Sequence, residues 1–270
     1  MNFKKWLKDN SALMERTIIL YNRTVNRFLR EYEEVNLENL NKFVTNSFRN
    51  KRSCYVKYAF RYYLKFIGKE ELYKQIVPVK VSPVKKEGVY LPAEKLFKIV
   101  NGIQEETFRM VALLQCITGG RSHDILSIEK AQIKEKKDGS LQITLIAKGN
   151  KKRYVFIPKH YANTITQFVE KYDRKYPFLK NWNKDESLRK AVDRNYRYYY
   201  NYVKESAKKL GYKNFATHDF RRNFIDDVQD ITRDIRQTAV ASGITVDTAI
   251  RYLNKKVGEE QLKEIIKKIR

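Results

Sequence analysis

Cysteine is nearly missing from this chain: there are two in 270 residues, Cys54 and Cys116, far apart in sequence. They make no zinc-ligand spacing and no disulfide framework, so a reducing, cytoplasmic setting is expected. No apolar run is long enough to span a bilayer, and the opening "MNFKKWLKDN" lacks the apolar core of a signal peptide. Internal repeats and low-complexity tracts are absent. Acidic residues are outnumbered, with 31 Asp and Glu against 56 Lys and Arg. Histidine is scarce too, with three in the whole chain.

The resulting net charge of +25 points to a polyanionic partner. The charge is spread through folded-looking segments rather than gathered in one amphipathic helix, which disfavours a membrane surface. Hydrophobic content of 42% is too high for a disordered basic tail. Aromatic residues make up 13%, including 19 tyrosines, enough both for a core and for packing on sugars and bases.

Apolar spacing divides the chain. "SALMERTIILYNRTVNRFLREY" reads as a helix with Ser11 at its N-cap and Leu13, Ile18, Tyr21, Val25, Phe28 and Leu29 on one face. "NLENLNKFVTNSF" is a second helix. "KRSCYVKYAFRYYLKFIG" is a third, with Val56, Phe60, Tyr63 and Ile67 in one stripe and Gly68 as its stop. Lys57, Arg61 and Lys65 make another stripe on that helix. It fits a solvated face or a surface lying on DNA phosphates, and both readings stay open. In "IVPVKVSPVKKEGVYLP", Pro78, Pro83, Gly88 and Pro92 exclude a continuous helix, so residues 78–91 are expected to be a linker.

The remainder, 92–270, mixes helix and strand. "EETFRMVALLQCITGG" is apolar nearly all round and reads as a core helix. Asp138-Gly139 and Gly149-Asn150 are hairpin signals, so three short antiparallel strands are expected. "SLRKAVDRNYRYYYNYVKESAKKLG" is a long helix with a stripe of Leu188, Val192, Tyr196, Tyr199, Val203 and Leu210. Tyr198, Tyr199 and Tyr200 are read as packing residues. The final amphipathic stretch, with Leu262, Ile265, Ile266 and Ile269, fits a tail helix docking either on its own domain or on a neighbouring protomer.

Four short stretches carry chemistry. "ITGGRSHDILSI" puts Arg121 after a glycine turn that ends the core helix. "IAKGNKKRYVFIP" puts Lys148 at a hairpin tip. "THDFRRNF" puts His218 and Arg221 on one face at the start of a helix. "TVDTAIRYLNK" puts Tyr252 on a short helix after Gly243. In chain order these are Arg, Lys, His-x-x-Arg and Tyr, and the pattern resembles the tyrosine recombinases, the family of phage integrases and Xer recombinases.

The resemblance implies a mainly helical fold with a small three-stranded antiparallel sheet. A helical, SAM-like core-binding domain (1–77) and the linker would precede a catalytic domain (92–270). It implies site-specific cutting and rejoining of double-stranded DNA, by a tetramer on two duplexes, without metal or other cofactor. Arg121 and Arg221 would clamp the non-bridging phosphate oxygens, which guanidinium does bidentately and lysine cannot. Tyr252 would attack the phosphorus and form a 3′-phosphotyrosine link. His218, with an ordinary pKa of about 6.5, would take the phenol proton, and Lys148 would protonate the departing 5′-hydroxyl. Lys151 and Lys152 compete with Lys148 for that role, and the family's Lys-Gly-Asn/Gly-Lys-x-Arg pattern favours Lys148. Asp124 would orient Arg121, whose alternative role is to neutralise the helix end before it. Lys57, Arg61, Lys65, Lys151, Arg153 and Arg222 are candidate DNA contacts.

The sequence departs from the family at Gly243, where a histidine or tryptophan is usual. Arg236, Arg251 or a neighbouring subunit is left to supply that phosphate contact. Similar losses occur in integrases of archaeal viruses and plasmids, and the composition suits such an element. Two alternatives share the features: a type IB topoisomerase, and an inactive DNA-binding protein. A metal-dependent nuclease is disfavoured, because Asp124, Asp219, Asp226 and Asp227 make no two-metal set.

Overall fold

Helical periodicity in the first third of the chain is realised as a small aromatic-cored bundle. The computed structural model describes residues 2–49, 55–77, 88–147, 151–183 and 185–253. Cys54, Lys148, the Gly149-Asn150 turn, most of the linker and the tail stripe lie outside the described residues, as do the side chains of Lys151 and Arg251. The chain divides into two compact units, Met1–Lys85 and Lys86–Arg270.

The first unit holds α1 (Phe3–Asn10), α2 (Glu15–Glu31), α3 (Leu37–Arg49), α4 (Tyr55–Phe66) and α5 (Glu70–Gln75). Phe28, Phe43 and Phe60, one from each of α2, α3 and α4, meet edge to face with ring centroids 5.0–5.6 Å apart. Each buried ring contributes roughly 1.5–3 kcal/mol, so this triad holds three helices together. Two expectations fail here. Ser11 does not start α2, which begins at Glu15 with Met14 before it. It ends α1, donating its hydroxyl to the Leu7 carbonyl at 2.6 Å. Leu29 stays exposed, because it is turned 100° from the buried Phe28.

The second unit holds α6 (Ala93–Asn101), α7 (Glu106–Thr118), α8 (Ser122–Leu126), β1 (Ile133–Glu135), β2 (Leu141–Ala147), β3 (Lys151–Ile157), α9 (Lys159–Tyr172), α10 (Leu188–Lys209), α11 (Thr217–Thr232), α12 (Ile235–Ser242) and α13 (Val246–Tyr252). The sheet is antiparallel in the order β1-β2-β3, with Ile143 opposite Ile133 on one side and Val155 on the other. The turn between β1 and β2 closes through Lys136 and Ser140 around Asp138-Gly139, as the dipeptide predicts. Alternation puts Leu141, Ile143, Leu145, Val155 and Ile157 in the core and leaves Ile146, Tyr154 and Phe156 exposed.

Helix α7 is the core helix, with Phe108, Val111, Ala112 and Leu114 fully covered. On α10, Val192, Tyr199 and Val203 are buried as the stripe predicts, but Leu210 falls at the helix end and is exposed. Tyr198 and Tyr200 flank Tyr199 on outward faces and are exposed as well, so only the middle tyrosine of the three is interior. Among the described residues no helix is long and apolar enough to cross a membrane.

Candidate active site

The site is built where α7 stops. Gly119 takes a left-handed conformation (φ 61°) that ends the helix, and a Cβ added there would lie 2.3 Å from the Phe224 ring. Substitution therefore meets both backbone strain and overpacking. Gly119→Ala is expected to cost about 2–4 kcal/mol, read as a lower urea midpoint at unchanged slope.

Each carbonyl of the turn then finds its own donor. Arg153 Nη2 donates to Thr118 O at 2.8 Å, Arg221 Nη1 donates to Gly119 O, and Gln115 Nε2 donates to Gly120 O at 3.0 Å. Gln115 is held in turn by the Tyr199 hydroxyl at 2.6 Å. With those carbonyls satisfied, Arg121 is not drawn back to neutralise the helix end. Its side chain is 43% exposed and lies 3.7 Å from Asp124. Burial pushes the Asp124 carboxyl above its ordinary range, while Arg121 and Arg221 oppose that shift.

Arg221 is the opposite case: it is 1% exposed. Its Nη2 donates to Ser242 O at 3.1 Å, so its two terminal nitrogens join the end of α7 to the end of α12. Its Nε is buried and makes no hydrogen bond of ordinary geometry, although the neighbouring Tyr252 hydroxyl favours the charged guanidinium. Burial first, then Arg121, lowers its pKa. The guanidinium lies 6.0 Å from the centre of the Tyr252 ring.

The Tyr252 hydroxyl and His218 Nε2 are 2.9 Å apart, with the rings 5.3 Å apart at 49°. His218 and Arg221, one turn apart on α11, thus both face the single tyrosine at the end of α13. Burial, followed by Arg222 and Arg221, lowers the His218 pKa. The imidazole is therefore held neutral, as a proton acceptor must be.

A cavity of about 520 Å³ opens beside this group, lined by Arg121, Asp124, Lys152, Arg153, Gly243 and Thr248 among others. Burial, then the Arg221 and Arg121 charges, pulls the Arg153 pKa down to about 10, which leaves it charged at neutral pH.

Arg121, Asp124, Arg153, His218, Arg221 and Tyr252 are brought together. The remaining candidates fare differently. Lys148 lies outside the described residues. Arg222 is tied to Asp219 at 2.7 Å. Lys57 turns along its own unit, donating to Ile76 O at 3.2 Å, whereas Arg61 and Lys65 are exposed. Arg236 is exposed on α12. Gln115 and Tyr199 were missed as supports of the turn. A lone polar residue in the apolar run of α7 is the signal for Gln115, since a buried amide needs partners. Among the described residues no set of three His, Cys, Asp or Glu is gathered to hold a metal.

No family model and no curated protein sequence matches this chain. Solved structures do. XerH site-specific recombinase bound to palindromic difH substrate, in a post-cleavage complex, is 16% identical with a TM-score of 0.70, over 97% of this chain and 82% of that one. A lambda integrase dimer bound to a COC′ core site is 13% identical with a TM-score of 0.66, over 95% and 76%. The Tn1549 transposon integrase in complex with transposon right end DNA is 10% identical with a TM-score of 0.61, over 98% and 97%. At these identities the likeness is one of fold, and the fold is that of the tyrosine recombinases.

Proposed function

We propose that this chain, with its tyrosine-recombinase fold, is a site-specific DNA strand transferase of the integrase type, working in the cytoplasm on a mobile element. The observation that carries this reading is the Tyr252 hydroxyl 2.9 Å from His218 Nε2, above a buried Arg221 and beside a half-exposed Arg121. Binding DNA alone requires no such pair.

In the proposed step, Tyr252 Oη attacks the scissile phosphorus and its proton passes to His218 Nε2. The P–O5′ bond breaks, and the departing oxygen takes a proton from Lys148. One phosphodiester is exchanged for another, so no cofactor is needed, and attack by a second 5′-hydroxyl reverses the chemistry on a new strand. Arg121 donates to the non-bridging oxygens from the cavity rim. The buried Arg221 Nε is the donor assigned to the same phosphate. A buried N–H left without a well-formed hydrogen bond costs about 1–3 kcal/mol, and an incoming oxygen would relieve it. Exchanging all four strands of two duplexes takes four such cleavages, and one protomer on each strand, a tetramer on two duplexes, would supply them.

The test is to incubate the protein with nicked duplexes from its source genome, without divalent metal, and quench with detergent. Peptide mapping of the trapped species is expected to find DNA on Tyr252, at a preferred site. Adducts at unselected sequences with plasmid relaxation would favour the topoisomerase reading. Salt-sensitive binding with no adduct would favour the inactive one.

Two further outcomes are expected. The cleavage rate depends on neutral His218, whose pKa lies below its ordinary 6.5. The rate is therefore level at and above neutrality and falls with pH only below about 6.5. A stopped assay from pH 5 to 8 checks this, and an inflection above 7 would contradict it. Arg61→Ala, on the exposed face of α4, is expected to reduce the slope of log affinity against log salt by about 1 at every DNA sequence. Fluorescence anisotropy at several salt concentrations measures it.

A further inference from the structure

We propose that Arg153 is a positioning residue that couples the turn carrying Arg121 to the helix end leading into Tyr252, an inference resting on the strand-transfer reading above. The basis is one nitrogen: Arg153 Nη2 donates to Thr118 O at 2.8 Å and to Ala241 O at 2.6 Å. Thr118 closes α7, immediately before Gly119, Gly120 and Arg121. Ala241 belongs to the last turn of α12, and the chain then passes through Gly243 into α13 and Tyr252.

Two helix C-termini therefore converge, each presenting carbonyls with partial negative charge. Left alone they would repel. Two arginines bridge them: Arg221 from within, through Gly119 O and Ser242 O, and Arg153 from the sheet, through Thr118 O and Ala241 O. Arg153 is the one of these two that lies at the cavity wall.

Gly243 makes room for this bridge. It holds φ 61° at the end of α12, and a Cβ built on it would lie 2.4 Å from Arg153 Cδ and 2.9 Å from Nε. The Arg153 stem thus occupies the space a side chain at 243 would need. A larger residue there would expel Arg153 and open the joint between α12 and the sheet. The place that the sequence leaves without a histidine or tryptophan is filled from β3, by an arginine that holds the frame. The strand explains the reach, because Arg153 shares the inward parity of Val155 and Ile157.

The test uses Arg153→Ala, Arg153→Lys and Tyr252→Phe in the full chain. With three histidines, the His218 ring resonance can be assigned by one further substitution and followed by NMR without DNA. Arg153→Ala is expected to move that resonance in the same direction as Tyr252→Phe, and Arg153→Lys to move it less. An unmoved resonance in folded Arg153→Ala would overturn the proposal. In the adduct assay, Arg153→Ala should lower the rate at saturating DNA about 10- to 100-fold, the scale of a small misplacement. The half-saturating DNA concentration should stay within about threefold. Weakened binding with a salt slope reduced by about 1, and an unchanged saturated rate, would make Arg153 a DNA phosphate contact and defeat the coupling.

A thermal-melting cycle covers the case in which Arg153→Ala is too unstable for kinetics. Gly243→Ala should lower the melting temperature more in the wild type than beside Arg153→Ala, which removes the Cδ and Nε that the added Cβ would meet. Equal losses in both backgrounds would count against the packing argument. If the wild type forms no adduct, the strand-transfer reading is lost. The resonance and the melting cycle then still decide whether Arg153 couples the two helix ends.

Discussion

Tyr252→Phe is expected to abolish the covalent DNA adduct, lowering its rate of formation by at least about four orders of magnitude, the scale of removing a nucleophile. The substitution deletes one oxygen. The ring keeps its place 5.3 Å from the imidazole of His218, and Arg221 keeps its carbonyl partners. The lost hydroxyl–imidazole hydrogen bond costs about 0.5–1.5 kcal/mol of stability, so the variant stays folded. DNA affinity should be unchanged, because the deleted group is neutral and makes no phosphate contact before attack. Single-turnover trapping on nicked duplexes, run with anisotropy on the same preparations, separates the two. An adduct surviving in the Phe variant would move the nucleophile to another of the 19 tyrosines. Loss of binding together with cleavage would mean that Tyr252 holds the structure rather than performs the reaction.

Arg221→Ala is expected to produce the largest loss of stability in the site, about 3–5 kcal/mol, as removal of one partner from a buried polar network does. The side chain is 1% exposed and is the donor to both Gly119 O and Ser242 O. Truncation leaves both carbonyls without it, opens a cavity and loosens α12 from α7. Arg121→Ala is the informative contrast. That guanidinium is 43% exposed with a 3.7 Å ion pair to Asp124, so its removal should change stability by no more than about 0.5 kcal/mol. Both variants should lose at least about 10² in cleavage rate, the cost of deleting a preorganised donor to a developing charge. Urea unfolding beside single-turnover cleavage tests the pair. Equal stability losses would mean that the division of labour between the two arginines is wrong.

Much of the architecture was legible because it depends on local spacing. Every-third-or-fourth apolar residues placed α2, α4 and α10, an almost wholly apolar run ending in two glycines placed α7, and Asp138-Gly139 placed the first hairpin. What was missed has definite causes. Ser11 has the chemistry of an N-cap, but an unexpected helix ends there, formed by a basic stretch whose Phe3 and Leu7 are buried. Leu210 continues a stripe whose helix stops one residue earlier. Tyr198, Tyr199 and Tyr200 are identical in sequence, and only their rotation around α10 separates the one that reaches Gln115 from the two in solvent.

The sequence by itself determined the ingredients of this protein: an excess of cations over anions, the order Arg, Lys, His-x-x-Arg and Tyr, and a glycine stop before Arg121. These follow from composition and from local spacing, which acts over a few positions. Only the tertiary structure decided which arginine is buried and which faces the cavity. It alone brought the Tyr252 hydroxyl onto a histidine 34 residues earlier in the chain. It also spent Arg153 and Arg221 on joining two helix ends. Distances between groups so far apart in sequence are set by how α7, α11, α12 and β3 pack, and by the need of each buried carbonyl for a donor, which no local pattern encodes.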